Sequence, residues 1–177
     1  CIVTVAYADV FGAINSDDFV SLRKQLSKYE PNVPNMQNPD SILINRRGPG
    51  KQTPLMYSVL SGKEKAVEML LEFGANVDIP EQDGYTPMHG AGFQGRAEIA
   101  NMLIKHGLDP SHRHKDGYTP LHRACWGNEQ RHTDTVKVLI DAGVSHEELT
   151  ADGKKCQEIT QNKQTLRLLK KVLKSEL

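Results

Sequence analysis

The sequence predicts an all-α protein, a solenoid of stacked helix–turn–helix units with projecting hairpin loops. The segment Asp-Gly-Tyr-Thr-Pro-Leu-His-Arg-Ala at residues 116–124 has a close copy 33 residues earlier, at 83–91, and Thr-Pro-Leu-Met at 53–56 begins a third copy at the same spacing. Each copy is followed by an apolar run and then by a glycine at a near-constant distance. A fixed period of this length indicates a repeat architecture.

The residue types in each copy predict where its helices begin and end. Asp-Gly favours a tight reversal, because glycine adopts positive φ easily and aspartate tolerates it. Thr119 suits a helix N-cap, and Pro120 suits the first helical position, where the missing N–H costs nothing. Gly74 and Gly107 each follow their threonine by 21 residues and suit the left-handed residue that ends a second helix.

The third copy carries an insertion. Gly143 follows Thr119 by 24 residues instead of 21, so three extra residues are present. The apolar runs of the three copies align when the insertion is placed within Gly127–Thr135. The aligned runs are Val67-Met69-Leu70-Leu71, Ala100-Met102-Leu103-Ile104 and Val136-Val138-Leu139-Ile140.

This order of turn, helix, antiparallel helix and glycine, with Thr-Pro-Leu-His at a period of 33, resembles the ankyrin repeat. The resemblance is clear over residues 44–153, and it implies L-shaped units whose helices stack while the hairpins project to one side. We expect one domain over residues 1–177. Its predicted parts are capping helices at 1–30, a long loop at 31–50, three full repeats at 51–143 and a degenerate capping repeat at 144–177.

The N-terminal region contains two open questions. Residues 1–8 are either the tail of a signal peptide, with Ala-X-Ala before Asp9, or the start of a capping helix. Residues 9–29 predict a helix pair with an N-cap at Ser16 or Asp17 between the helices. The predicted apolar positions of this pair are Val10, Phe11, Ile14, Phe19, Val20, Leu22 and Leu26.

The loop at 31–50 ends in a basic stretch, Arg46-Arg47-Gly48-Pro49-Gly50-Lys51. It lacks the spacing of a phosphate-binding loop, since Gln52 follows the lysine, so we interpret it as a solvated hairpin. At the other end, Leu166, Leu169, Val172 and Leu173 form one helical stripe. Five basic residues flank that stripe and are interpreted as the solvated side of a cap: Lys163, Arg167, Lys170, Lys171 and Lys174.

The composition restricts the class of function. Lys+Arg and Asp+Glu both number 22, so the sequence lacks the basic excess of a dedicated nucleic-acid binder. It has no apolar run long enough to span a membrane. Cys1, Cys125 and Cys156 are too few and too scattered for a disulfide framework, which favours a reducing compartment, cytoplasmic or nuclear.

The candidate chemical residues have plainer structural interpretations. The family resemblance implies that His89 and His122 hydrogen-bond to the threonine hydroxyl and to the neighbouring loop. A His122–Cys125 nucleophile is conceivable, but Cys125 occupies a slot held by small residues in the other repeats. His112 and His114 could bind a metal with His146 or Asp116, although no third ligand has a known spacing. We expect no catalytic residue, metal, cofactor or small-molecule substrate.

The remaining candidate for function is a protein-binding surface. In the ankyrin family, the first helix of each unit and the tip of its hairpin face a concave side that grips protein partners. Here those positions hold aromatic residues, which dominate the energetics of interfaces. The alternative is that these aromatic residues only shield the seam between repeats. The predicted partner-binding residues are Leu60, Gln82, Asp83, Tyr85, Phe93, Gln94, Lys115, Asp116, Tyr118, Arg123 and Trp126.

Arg123 takes a slot that is usually apolar in the family. We expect Gly90 and Gly92 to leave room for its stem and its guanidinium to be available for a partner's carboxylate. The alternative is an internal ion pair with an acid such as Glu98.

The sequence therefore predicts a monomeric module that binds another protein, or a segment of its parent chain, through an aromatic groove. Two alternatives stay open. One is a regulatory domain of a larger enzyme or signalling protein. The other is a binder of nucleic acid or anionic surfaces through Arg46, Arg47, Lys51 and the C-terminal lysines.

Overall fold

The structure is a computed structural model that describes residues 10–27 and 43–175, and the regular elements within these ranges are all helical. The predictions for residues 1–8 and for most of the 31–50 loop lie outside the described residues. The helices are α1 (10–15), α2 (Phe19–Leu26), α3 (Pro54–Ser61), α4 (Glu64–Glu72), α5 (Pro87–Gln94), α6 (Ala97–Lys105), α7 (Pro120–Cys125), α8 (Gln130–Asp141), α9 (Cys156–Ile159) and α10 (Lys163–Ser175). Short 3₁₀ turns occupy Leu43–Asn45 and Pro49–Lys51.

The chain forms two compact units, of which the first ends at Pro87 and the second begins at Met88. In the first unit, α4 packs against both α2 and α3. In the second unit, α8 packs against α6, α7 and α10, and α9 packs against α7 and α10. Both cores are built from the apolar runs that the repeat period aligned, with Leu70, Leu103 and Leu139 fully buried.

The predicted N-terminal helix pair is present as α1 and α2, with two corrections. The N-cap of α2 is Asp18, whose carboxylate accepts the amide of Ser21 at 3.0 Å, while Asp17 adopts a φ of +56° in the turn. Val20 was predicted to be a core residue, but its side chain is 82% exposed. The buried residues of α2 are Leu22 and Leu26, which recur at helical spacing and exclude the position of Val20.

The predicted helix boundaries of the repeats are confirmed. Thr53 caps α3 by accepting the amide of Met56 at 3.1 Å, and Pro54 is the first helical residue. The predicted C-terminal glycines have positive φ values: +80° at Gly74, +88° at Gly107 and +90° at Gly143. At the end of each second helix, the backbone adopts a left-handed conformation in which a side chain would be strained. Glycine occupies this position in all three repeats.

The three-residue insertion lengthens a helix. Helix α8 has 12 residues, whereas α4 and α6 have nine each. The extra turn at its start brings the ring of His132 against Gly127, where a Cβ atom would lie only 2.0 Å from the imidazole. The Nε2 atom of His132 also lies 3.3 Å from the carbonyl oxygen of Phe93 at the end of α5. The insertion is thus packed into the second unit.

His122 links the start of α7 to the following hairpin, as the family resemblance implied. Its Nδ1 atom lies 3.1 Å from the amide nitrogen and 2.9 Å from the hydroxyl of Thr119. Its Nε2 atom lies 3.1 Å from the carbonyl oxygen of Glu148. A neutral imidazole protonated at Nε2 fits this geometry, because Nε2–H donates to the carbonyl while Nδ1 accepts. Burial lowers the pKa of His122 and so favours the neutral form.

Cys125 and Cys156 form a disulfide, although the cysteines were judged too few and too scattered for a disulfide framework. Their Cα atoms are 5.7 Å apart and both side chains are fully buried. Cys125 is the sixth residue after Thr119, and Cys156 takes the proline position of the last, degenerate repeat. In the preceding pair of repeats, Gly92 and Pro120 occupy the same two positions. A Cβ atom added to Gly92 would lie 2.4 Å from the carbonyl oxygen of Pro120. The period places these two cysteines together despite their separation of 31 residues.

Reducing this disulfide is expected to destabilise the second unit. Closing a loop of 31 residues restricts the unfolded chain by about 3–4 kcal/mol in the loop-entropy model. Urea unfolding with and without dithiothreitol should therefore give clearly different midpoints. The Cys156→Ala variant, which cannot form the bond, should show no such dependence on the reductant. Equal midpoints for the wild-type protein under both conditions would contradict the pairing.

Acid is expected to destabilise the fold through His89. Burial, followed by the positive charges of His112, His114 and Arg123, lowers the pKa of His89 to about 4 from an ordinary value of 6.5. The unfolded chain therefore binds more protons between these two values, so stability is full above pH 6.5 and falls as the pH drops towards 4. The free energy of unfolding should be about 2 kcal/mol lower at pH 5 than at pH 7 from this group.

The measurement is chemical denaturation across that pH window for the wild-type protein and for His89→Gln. The variant should be less stable at pH 7, yet its free energy of unfolding should depend less steeply on pH. An unchanged slope in the variant would show that His89 is not the titrating group.

Candidate protein-binding surface

The predicted surface residues of the first unit lie at the end of α3 and in a tight hairpin. Leu60 is half-buried near the C-terminus of α3, Gln82 and Asp83 are exposed, and Tyr85 is half-buried. The hairpin is closed by backbone hydrogen bonds from the amide of Glu81 to the carbonyl of Tyr85 at 2.9 Å and from Gly84 back to Glu81 at 3.0 Å. This part of the predicted set is therefore displayed on an ordered turn.

The second unit exposes the two largest predicted anchors. The side chain of Phe93, near the end of α5, is 56% exposed, and that of Trp126, directly after α7, is 39% exposed. Lys115 is exposed, while Gln94, Asp116 and Tyr118 are half-buried. Exposure of large apolar side chains carries a cost in water that a monomer usually avoids, so such residues often mark contact sites.

Tyr118, Arg123 and Trp126 form a compact stack. The rings of Tyr118 and Trp126 have centroids 4.8 Å apart. The guanidinium carbon of Arg123 lies 4.9 Å from the centroid of the Tyr118 ring and 4.6 Å from that of Trp126. Cation–π attraction of this kind is strongest where water is excluded, and Arg123 is only 8% exposed. The Tyr118–Arg123–Trp126 stack thus fixes the indole in one orientation.

Arg123 is paired inside the protein, so the prediction of a guanidinium available to a partner is wrong. Its Nη2 atom donates to the Oδ2 atom of Asp116. Asp116 also accepts the amide of Tyr118 at 3.1 Å and lies 2.9 Å from the Nδ1 atom of His114. The alternative of an internal ion pair is correct, but the acid is Asp116 instead of Glu98.

Of the two glycines that were expected to make room for the arginine stem, Gly90 and Gly92, the second has a different role. The space beside Gly92 is filled by the backbone of Pro120 at the start of α7. Arg123 is accommodated instead by the two rings that cover it. Arginine is tolerated in this usually apolar slot because its charge is paired with Asp116 and its plane packs against the rings of Tyr118 and Trp126.

Sequence analysis missed the partner of the Tyr118 hydroxyl. This hydroxyl donates to the Oδ2 atom of Asp152 at 3.0 Å, and that hydrogen bond raises the pKa of Tyr118. Asp152 occupies the Asp-Gly turn of the last repeat, one repeat after the Asp-Gly turn that precedes Tyr118. Its position in the repeat pattern could therefore have identified it as the partner. The bond fixes the outer edge of the stack to the next hairpin.

Three histidines of the second unit lie close together. The ring of His89 meets those of His112 and His114 edge-on, with centroids 5.6 Å and 5.9 Å apart. Within residues 10–27 and 43–175, no group of three or more His, Cys, Asp or Glu side chains has a geometry that could hold a metal ion. The proposed ligands His112 and His114 are thus not joined by a third ligand in this part of the chain.

Replacing Arg123 by lysine is expected to lower stability by about 1–2 kcal/mol, because an ammonium group cannot lie flat against the two rings as the planar guanidinium does. The fluorescence of Trp126, the single tryptophan of the sequence, should change as well. Lys137→Gln is the matched control, since it removes an exposed ion pair with Asp141 and should cost less than about 0.5 kcal/mol. Equal losses in the two variants, with unchanged fluorescence, would contradict the role of the stack.

Among the described residues, no helix is both long enough and apolar enough to cross a membrane.

Comparisons with known proteins agree with the repeat geometry. Family models described as "Ankyrin repeats (3 copies)" and "Ankyrin repeats (many copies)" match residues 12–114 and 91–140. The Notch-regulated ankyrin repeat-containing protein of Homo sapiens is 32% identical over 45% of this chain and 60% of its own length. Palmitoyltransferase AKR1 of Saccharomyces cerevisiae is 33% identical over 73% of this chain but only 12% of the enzyme. The same enzyme from Lachancea kluyveri is 32% identical over 71% of this chain and 12% of its own length.

The chain thus spans about 60% of the Notch-regulated relative and about an eighth of the palmitoyltransferases. The family match extends over more than half of the chain and coincides with the confirmed turns, caps and helix pairs. This protein belongs to the ankyrin-repeat family, with the all-α solenoid fold class of that family.

Proposed function

We propose that this chain is a non-catalytic module that binds a partner protein or peptide through a concave aromatic groove. The observation that carries the proposal is the exposure of Phe93 and Trp126, which are large apolar side chains held on ordered helix ends. Ankyrin repeats generally mediate protein–protein interactions, which supports the same class of function. Within the second unit, Phe93, Gln94, Lys115, Tyr118 and Trp126 form the proposed site, and Asp116 and Arg123 support its rings. The predicted residues of the first unit, Leu60, Gln82, Asp83 and Tyr85, stay a separate prediction.

The stack around Arg123 supports a preorganised site. Because Tyr118 and Arg123 hold the indole of Trp126 in place, little side-chain entropy would be lost when a partner covers it. The positive charge of Arg123 is already balanced by Asp116. We therefore expect this surface of the second unit to select an apolar or aromatic anchor on the partner, with Lys115 as a polar contact at its rim.

A second candidate follows from the palmitoyltransferase matches, which cover about an eighth of those enzymes. In this alternative, the chain is a regulatory segment of a larger protein, and the groove holds another segment of the same parent. Both candidates use the same surface. They differ in whether the captured ligand is a separate polypeptide.

Trp126→Ala and Phe93→Ala are each expected to weaken partner binding at least tenfold, or about 1.4 kcal/mol, as loss of a buried aromatic anchor does. The wild-type protein is used to capture ligands from the source cell, and mass spectrometry identifies them as separate proteins or as parts of the parent chain. Affinities are then measured from the fluorescence of Trp126 or, for its variant, by calorimetry.

Val20→Ala is the matched control, because Val20 is an exposed apolar residue of α2 outside the predicted surface. It should bind like the wild type. Unchanged affinity in both aromatic variants, with normal folding by circular dichroism, would rule out the groove.

A further inference from the structure

Helix α10 carries a row of positive charges. Its basic residues are all exposed, and none forms an ion pair with another described residue. The helix contains no acidic residue. The spacing of Lys163, Arg167, Lys170 and Lys174 places them on one side of the helix, and Lys171 flanks them. The opposite side contributes Leu169, which is 2% exposed, to the core.

The row begins in a polar cleft of about 680 Å³ within the second unit. Lys163 and Arg167 line this cleft together with amide side chains, and no carboxylate lines it. The amides are Asn128, Gln130, Gln161, Asn162 and Gln164. Asn128 and Gln130 belong to the inserted segment of the third repeat, so the insertion forms one wall of the cleft.

The wall is held in position by Asn162, which is 5% exposed. Its Oδ1 atom accepts the amide of Gln164 at 3.0 Å and caps α10. Its Nδ2 group donates to the carbonyl oxygens of Gly127 at 3.3 Å and Glu129 at 3.1 Å. Asn162 therefore joins the insertion to α10 and makes the cleft a fixed feature.

Two acids beside the inserted segment, Glu129 and Asp134, have partners of their own. The carboxylate of Glu129 accepts Arg131 at 2.7 Å, and that of Asp134 accepts the amide of Gln130 at 2.6 Å. Asn128, Gln161 and Gln164 are exposed, and their amides can both donate and accept hydrogen bonds. The surface thus offers exposed amide groups in the cleft at one end of the row. Along the helix it offers cations that no described carboxylate pairs with.

We propose that this α10 cleft binds an extended acidic peptide segment of a partner protein. The row from Lys163 to Lys174 is about 16 Å long at 1.5 Å per residue, which matches about five residues of extended chain. Acidic side chains would pair with the row, while the amides would pair with the N–H and C=O groups of the peptide backbone.

Other anionic partners fit less well. A single-stranded nucleic acid bound without sequence preference stacks its bases on aromatic side chains, and the residues that line the cleft include none. A membrane-binding amphipathic helix needs an exposed apolar face, whereas Leu169 is turned into the core. The site is independent of the proposed aromatic groove, because it shares no residue with it.

The test uses a fluorescein-labelled peptide of five Glu-Ala repeats, with fluorescence anisotropy as the readout at low salt. The wild-type protein should bind this peptide saturably and should not bind the matching Gln-Ala peptide. The Lys163→Gln/Arg167→Gln variant should bind at least about tenfold more weakly. The Lys24→Gln/Lys105→Gln control removes the same charge from exposed sites elsewhere and should change affinity less than about twofold.

Two further arms decide the class of ligand. Asn128→Ala/Gln164→Ala should weaken binding of the acidic peptide while leaving binding of a ten-nucleotide single-stranded DNA unchanged. Vesicles of phosphatidylcholine and phosphatidylserine should bind the protein more weakly than the acidic peptide does. The peptide should therefore displace the protein from the vesicles. Equal losses in both lysine variants, tighter binding of DNA or vesicles, or no saturable peptide binding would each overturn the proposal.

Discussion

A helix that starts at Thr-Pro leaves its first amide groups without partners, and the hairpin of the following repeat must be anchored at the same place. In the second unit, His122 meets both requirements, because one ring nitrogen faces Thr119 and the other faces the carbonyl of Glu148. This bridge fixes the start of α7 relative to the next hairpin. Arg123 and Trp126 come one and four residues later, so the bridge also determines where the aromatic stack lies.

In the second unit, the sixth position of one motif contacts the proline position of the next. In one pair the contact needs glycine, since a Cβ on Gly92 would collide with the backbone of Pro120. In the next pair, Cys125 and Cys156 occupy these positions and are covalently joined. The last repeat has lost its threonine, and the start of α9 is capped instead by Glu158, whose carboxylate accepts the amide of Lys155 at 2.7 Å. A covalent link therefore joins the two repeats at the contact where the last copy departs from Thr-Pro.

The sequence predicts features that depend on the local backbone, and it fails where a side chain chooses among several neighbours. Positive φ at Gly107 follows from the repeat pattern alone. The choice of Asp116 over Glu98 for Arg123 does not, because it depends on how the arginine side chain packs against Tyr118 and Trp126. The disulfide was missed because pairing was judged from the number of cysteines, and the reducing compartment inferred from that number stays a prediction.

The balance of 22 basic and 22 acidic residues argued against electrostatic binding, but that argument concerns only the field of the whole chain. At physiological salt, exposed charges interact over roughly 8–10 Å, so a partner responds to the local arrangement. Arg123 is neutralised at that range by Asp116, whereas the cations of α10 have no described carboxylate paired with them. The same neutral sequence can therefore hold one surface that favours apolar anchors and another that attracts acidic ones. What distinguishes them is whether each cation is paired within the fold, which net charge does not report.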